Sequence, residues 1–272
     1  MWNDFSGRAV LVTGGTRGIG LATGLAFGRL GADVTLTYKW GSADEDDIRD
    51  RFIAAGASPP SLIQADAGAE ADVEAVLAGI RERHERLEVL VSNAAFGAIV
   101  GSVDEYAKKA LHAGIDYSAW PLVNHTLTAR RLFGHAPRYV ISVSSEGIDS
   151  MHVGYDLVAA SKAVLETLAR YLHYRLRLEG TTVNVVRTRF VATESLAATA
   201  GDAFEPFVRR YEPDIITAPD DVANAIVGLC AGPMDAIGGQ VVTVDGGAAL
   251  RDNFSRLFHE RDRHPITRKE PV

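Results

Sequence analysis

The sequence predicts an α/β protein: a doubly wound sheet of seven parallel strands with helices on both faces. Three observations carry that prediction. Short apolar runs alternate with helical stretches along most of the chain, the rhythm of parallel strands joined by crossover helices. The first run, Ala9-Val10-Leu11-Val12-Thr13, passes straight into the glycine-rich turn Gly14-Gly15-Thr16-Arg17-Gly18-Ile19-Gly20. A second strand, 33–38, follows the helix beyond that turn, so the glycines lie inside a βαβ unit rather than in an arbitrary loop.

The elements follow in order. Strands are expected at 9–13, 33–38, 61–65, 89–92, 139–142, 182–186 and 240–244, each a short apolar or β-branched run. Helices are expected at 19–30, 44–55, 70–84, 113–133, 155–178 and 219–230. Ahead of the second helix, Ser42-x-x-Glu45 reads as a capping box, which makes Asp44, Asp46 and Asp47 dipole partners in a first turn rather than ligands. Two stretches break the rhythm. Residues 188–217 form a long connection with a short amphipathic segment at 204–211, the kind of loop that serves as a lid over a site. Residues 251–272 are highly charged, contain Pro265 and Pro271, and form a tail read as a disordered end, a subunit arm or a partner site. One domain is therefore expected over 1–250.

Bulk properties narrow the function. A chain of 272 residues suits one large α/β domain, and 47% hydrophobic with 23% charged residues is a globular balance. Lys and Arg number 28 against 35 Asp and Glu, for a net charge of −7, which argues against nucleic acid or an anionic membrane as partner. Cys230 stands alone, so an internal disulfide and a cysteine metal site are both excluded, and it reads as a small buried hydrophobe. His112, His125, His135, His152 and His173 lack metal spacing, so no metal is expected. No apolar stretch suits a bilayer crossing, and Asp4 and Arg8 precede the first strand at once where a leader would be apolar. A cytoplasmic location is expected.

The glycine turn carries the first piece of chemistry. Gly14 permits a tight turn, Gly18 lets the backbone approach a pyrophosphate, and Gly20 allows close helix packing. The helix opening near Gly18 and Ile19 turns unpaired N–H groups and its positive dipole end toward an anion. A nucleotide is the expected ligand. Further motifs close successive strands: Asp66-Ala67, then Ser92-Asn93-Ala94-Ala95, then Ser144-Ser145, and finally Val244-Asp245-Gly246-Gly247. Tyr155 and Lys162 follow on the next helix. In a doubly wound sheet these strand ends converge on one crevice.

Taken together, these motifs resemble the short-chain dehydrogenase/reductase family over about residues 5–250. The resemblance implies a Rossmann fold and a nicotinamide dinucleotide bound by Gly14, Thr16, Arg17, Gly18, Ile19 and Gly20. It implies that Asp66 and Ala67 lie at the adenine, and that Asn93, Ala94 and Ala95 support the adenosine side. Val191 and Thr193 would hold the nicotinamide carboxamide and a nearby phosphate, and Lys162 the ribose. The second strand ends Thr37-Tyr38-Lys39-Trp40 without a carboxylate, while Lys39 and Arg17 offer cations where a 2′-phosphate would sit. NADPH is the expected cofactor.

The chain departs from the common family pattern at its phenol. Four residues before Lys162 the family usually has tyrosine, and here the residue is Val158. Tyr155 lies seven residues before the lysine, almost two helical turns or about 10 Å along the axis, so both remain on one face. Tyrosine at that distance resembles the enoyl-acyl-carrier-protein reductases of the superfamily, particularly their NADPH-dependent branch. Such an enzyme delivers hydride to the β-carbon of an unsaturated thioester, with Tyr155 bonding the developing oxyanion and Lys162 lowering the phenol pKa. Ser145 occupies the hydroxyl position of the ketone reductases and either polarises a carbonyl or caps the strand end. Asp116, where ketone reductases carry a relay asparagine, either supports a proton relay or pairs with a cation. Arg187 and Arg189, where Pro-Gly is common, either meet an acidic carrier or a substrate carboxylate or lie exposed on the surface, and exposure is the leading expectation.

The leading expectation is therefore an NADPH-dependent reductase of a 2-enoyl thioester, carrier-bound or small. A ketoreductase using Tyr155 with Ser145 is the alternative, and a non-catalytic nucleotide sensor is the third. Helices 113–133 and 155–178, with Trp120, Leu122, Leu168, Tyr171 and Leu172, match subunit-interface helices of the resembled family, so a homodimer or homotetramer is expected.

Overall fold

The computed structural model describes residues 4–40, 44–252, 255, 258 and 259. Its elements run β1 (Ala9–Thr13), α1 (Gly18–Arg29), β2 (Asp33–Tyr38), α2 (Glu45–Ala54), β3 (Ser61–Gln64), α3 (Glu70–Arg81) and β4 (Leu87–Ser92). Next come α4 (Lys108–Gly114), α5 (Trp120–Phe133), β5 (Tyr139–Ser145), α6 (Asp156–Leu176) and β6 (Thr182–Thr188). The chain closes with β7 (Phe190–Val191), α7 (Glu194–Ala200), α8 (Phe204–Tyr211), β8 (Ile216–Thr217), α9 (Pro219–Leu229) and β9 (Val241–Val244).

Seven parallel strands form one sheet in the order β3-β2-β1-β4-β5-β6-β9. The order reverses between β1 and β4, which opens a crevice at the carboxyl ends of those strands. Because helices cover both faces, β1 is apolar almost throughout: Val10 and Val12 pack into one core, Ala9 and Leu11 into the other. The first core joins Leu21, Leu25 and Phe27 of α1 to Phe52 of α2 and Ile226 of α9. The second joins Val76, Leu77 and Ile80 of α3 to Leu122 and Ala129 of α5 and Leu165 and Ala169 of α6. Each core buries enough apolar surface to hold the strand ends rigidly under the crevice.

Where the structure departs from sequence expectation, the departures surround the site. Strand β5 runs on to Ser145 and β6 to Thr188, because their registers continue through Ser144↔Arg187 and Ser145↔Thr188. The helix expected at 113–133 is divided into α4 and α5 by a wide π turn at Ile115–Ala119, with Pro121, which has no N–H to donate, in the first turn of α5. Within 188–217, β7 pairs with β8 through Phe190↔Ile216 and Val191↔Thr217, so the base of the loop is pinned. Asp44 caps α2 by accepting from Asp47 N at 3.0 Å, with Glu45, Asp46 and Asp47 in the first turn. The Ser42 half of the expected capping box, and residues 253–254, 256–257 and 260–272 of the tail, lie outside the described residues. Among the described residues no helix is long and apolar enough to cross a membrane.

Candidate active site

The carboxyl ends of the strands line a cleft of about 900 Å³ that reaches from Trp40 and Lys39 at one end to Phe190 and Phe204 at the other. Its floor is the glycine turn. Gly14 and Gly18 adopt φ of +62° and +52°, which only glycine takes readily, and a Cβ on Gly14 would stand 3.0 Å from Ala94 Cα. A Cβ on Gly20 would fall 2.2 Å from Gly14 O, so Gly20 serves packing and does not itself line the cleft. Asn93 ties this turn to the neighbouring strand: its Nδ2 donates to Thr13 O at 3.1 Å and Gly14 O at 2.9 Å. Thr13 Oγ1 in turn accepts from the N–H groups of Asn93 and Ala94, both at 3.1 Å. Helix α1 has no acid in its first turn and no side-chain cap at Arg17. Its leading N–H groups are therefore free for an anion, and the cradle fits a dinucleotide pyrophosphate.

Thr16, Ile19, Ala67, Ala95, Val191 and Thr193 all line the same cleft. Thr193 also caps α7, accepting from Leu196 N at 3.3 Å, and its methyl group leaves no room beside Gly18 for more than a hydrogen. At the adenosine end Lys39 is already engaged. Its Nζ lies 2.5 Å from Asp66 Oδ2 and 2.8 Å from the Tyr117 hydroxyl, above the rings of Trp40 and Tyr117. Burial pulls the ammonium pKa down, but the bonds to Asp66 and Tyr117 outweigh it and leave the pKa raised. Arg17 is exposed and pairs with Glu194 at 3.4 Å. Trp40, Phe96 and Tyr117 form an aromatic cluster here, with centroids 5.6–6.0 Å apart. Sequence reasoning missed it because its three members come from three separate segments.

At the other end Tyr155, Ser145 and Lys162 meet. Tyr155 is the N-cap residue of α6 and not, as expected, its first helical residue, yet its carbonyl already accepts from Ala159 N at 2.8 Å. Its ring packs flat enough on Gly147 that a Cβ there would lie 2.6 Å from Cδ1. Burial raises the phenol pKa, and a hydrogen bond from Ser145 opposes that rise. Lys162 is buried, donates to Val143 O at 2.8 Å, and has its pKa pushed down to about 8 by burial, with Glu166 opposing. Val158, in the slot four before Lys162, is buried against Gly97 and does not line the cleft.

Two expectations are corrected. Asp116 is exposed on the π turn, away from the cleft lining, and its backbone carbonyl lies near Gly68, so it is not brought to the catalytic group. The residue of that turn that lines the cleft is Tyr117, while buried Ser118 holds the Phe96 backbone: its Oγ accepts from Phe96 N at 3.0 Å and donates to Phe96 O at 2.7 Å. The extra residue of a π turn rotates the following side chains, which sequence spacing does not reveal. Arg187 and Arg189 are not exposed cations: their side chains are only 14% and 16% accessible. Arg187 grips buried Glu166 at 2.9 and 2.6 Å and also pairs with Asp149, while Ser144 Oγ donates to Glu166 at 2.7 Å. Arg189 turns into the cleft, with Glu146 Oε2 3.5 Å from its Nε. His152 also lines the cleft, its ring centroid 5.9 Å from that of Tyr155. Among the described residues no His, Cys, Asp and Glu group is arranged to hold a metal.

Comparison with known proteins agrees with this geometry. The family described as "Enoyl-(Acyl carrier protein) reductase" matches residues 14–249. The chain is 30% identical to the 2,3-dihydro-2,3-dihydroxybenzoate dehydrogenase of Escherichia coli, across 91% of this chain and 99% of that protein. It is 26% identical to the NADH enoyl-(acyl-carrier-protein) reductase FabI of Aquifex aeolicus, across 92% and 94%. A short-chain dehydrogenase from Burkholderia cenocepacia, solved in complex with NADP, superposes with a TM-score of 0.78 at 28% identity, over 91% of this chain and all of that one. The glycine cradle, the strand-end cleft and the Tyr155–Lys162 helix thus have one common explanation: the chain is an oxidoreductase of the short-chain dehydrogenase/reductase superfamily and belongs to its enoyl-(acyl carrier protein) reductase family.

Proposed function

We propose that this oxidoreductase uses NADPH to reduce the carbon–carbon double bond of a 2-enoyl thioester. The observation that carries the reading is the source of the phenol. Tyr155, seven residues before Lys162, lines the cleft, while the slot four before Lys162 holds a valine packed into the interior. A bound reduced nicotinamide dinucleotide supplies the hydride. As hydride reaches the β-carbon, negative charge gathers on the thioester oxygen, and the Tyr155 hydroxyl donates a hydrogen bond to it. Ser145 orients that hydroxyl by its own bond to it. Lys162, held by Val143 O, places an ammonium group in the cleft wall, where it favours the developing oxyanion and binds ribose hydroxyls. NADPH is favoured over NADH because β2 ends without a carboxylate of its own while Lys39 stays charged and Arg17, itself exposed, pairs with exposed Glu194.

One observation favours a second reaction. The Ser145–Tyr155 hydrogen bond places a second hydroxyl where a ketone oxygen would be polarised, and the Escherichia coli relative is a dehydrogenase. NADPH oxidation with crotonyl thioester against acetoacetyl thioester separates the two. Turnover of crotonyl thioester supports the first reading, turnover of the keto thioester alone replaces it with the second, and cofactor binding without either leaves a nucleotide sensor. In the active case Tyr155→Phe lowers kcat about a hundredfold or more while NADPH affinity, read by nucleotide fluorescence, stays near that of the parent.

Assembly follows the same reasoning. Helices α5 and α6 leave Trp120, Leu127, Tyr171 and Tyr174 exposed, and we assign this surface to a second copy of the chain in a homodimer or homotetramer.

A further inference from the structure

Two arginines at the end of β6, two positions apart, meet opposite fates. Arg187 closes a two-pronged pair on buried Glu166 and adds Asp149, so its guanidinium is fully used. Arg189 has a buried carboxylate beside it but forms no hydrogen bond with it: Nε stands 3.5 Å from Glu146 Oε2, and both atoms are buried without a hydrogen-bond partner. A buried donor and acceptor left open in this way are costly, and a fork-shaped cation left open in a cleft wall is built to receive a planar anion.

The surroundings define that anion. Arg189 Cζ stands 5.2 Å from the Phe190 ring centre, Phe190 lies 5.2 Å from the His152 ring, and His152 lies 5.9 Å from Tyr155. An unbroken run of contacts therefore joins the guanidinium to the phenol. His152 Nε2, 3.4 Å from the same Glu146 Oε2, flanks Arg189 on the side toward Tyr155. Phe190 and Phe204, 5.0 Å apart, form an apolar wall beside it. Glu146 is itself placed by Ser150, which donates to its other oxygen.

We infer that Arg189 receives a carboxylate carried on the substrate itself, so the thioester reduced in this cleft bears a free carboxyl group on an apolar body. The inference rests on the proposed reading of the cleft as a reductase site. Glu146 holds the guanidinium from behind, and the substrate carboxylate takes the two nitrogens facing the cleft. The subsite is a property of this chain's Arg187-Thr188-Arg189 sequence, in which Arg187 is structural and Arg189 selects.

Equilibrium binding reads this without turnover. Benzoate and benzamide have the same shape and differ in charge, and calorimetry measures each on the full chain with and without saturating NADP. The parent binds benzoate about tenfold or more tightly than benzamide, and Arg189→Met brings the two within about twofold while Arg189→Lys keeps part of the preference. Because Arg189→Met leaves Glu146 without its cation, the double variant Arg189→Met, Glu146→Gln repeats the measurement in a neutral setting. Equal affinity for the two probes in the parent, or an unchanged benzoate preference in the double variant, overturns the inference. Benzoate selectivity without reduction of any unsaturated thioester upholds the subsite and removes the proposed reaction instead.

Discussion

Lys162→Met offers the sharpest test of the electrostatics beneath the cleft. The Lys162 ammonium is buried, its Nζ has Val143 O as hydrogen-bond acceptor, and burial pushes its pKa down from 10.5 to about 8 against the opposing charge of Glu166. Below pH 8 the group is protonated in both the folded and unfolded chain, so the fold bears the whole cost of burying the charge. Above pH 8 the folded protein releases the proton while the unfolded chain keeps it until about pH 10.5, so this group makes stability rise with pH across that window. At about 1.4 kcal/mol per pH unit, the rise comes to about 3 kcal/mol. Methionine removes the titration. It also leaves Val143 O without its donor, a cost of about 1 kcal/mol that does not vary with pH. Groups remote from Lys162 that titrate in this range, Tyr139 among them, are common to both proteins and cancel in the difference. Urea unfolding of the cofactor-free chains, followed by circular dichroism from pH 7.5 to 10.5, measures the gap at each pH. The stability of the parent relative to the variant should climb by about 3 kcal/mol across the series. Parallel curves, with the gap constant to within about 1 kcal/mol, would refute the buried-ammonium account.

Two further perturbations address the ends of the cleft. In Gly147→Ala the new methyl would lie 2.6 Å from the Tyr155 ring, so the ring must swing away; steady-state kinetics should show kcat reduced about tenfold or more, with NADPH affinity by fluorescence titration unchanged. Lys39→Met removes the cation beside Asp66, and the ratio of NADPH to NADH affinity should fall about tenfold, so an unaltered ratio would show that Lys39 does not read the 2′-phosphate.

Much of this architecture was legible from local pattern. All seven sheet strands lie where apolar, β-branched runs place them, because a strand buried on both faces must be apolar along its length, as Val10 and Leu11 are. Gly14 and Gly18 were readable for a similar reason: a positive φ is a local demand that glycine alone meets cheaply. Asp116 failed for the converse reason. Its side-chain direction depends on a π turn, which arises from how α4 and α5 pack on α6 and has no fixed sequence spacing. Exposure was the leading expectation for Arg189 because charge alone says surface, whereas burial is decided by Glu146 arriving from the end of another strand.

By itself, the sequence determined the alternation of strands and helices, the anion cradle and the nearness of Tyr155, at the cap of α6, to Lys162 within it, since each of these is a relation between residues close along the chain. Only the tertiary structure decided which cations are spoken for. Lys39 with Asp66, Arg187 with Glu166, and Arg189 open beside Glu146 are each settled by residues that meet across strand ends, where distance in space and distance in sequence no longer correspond.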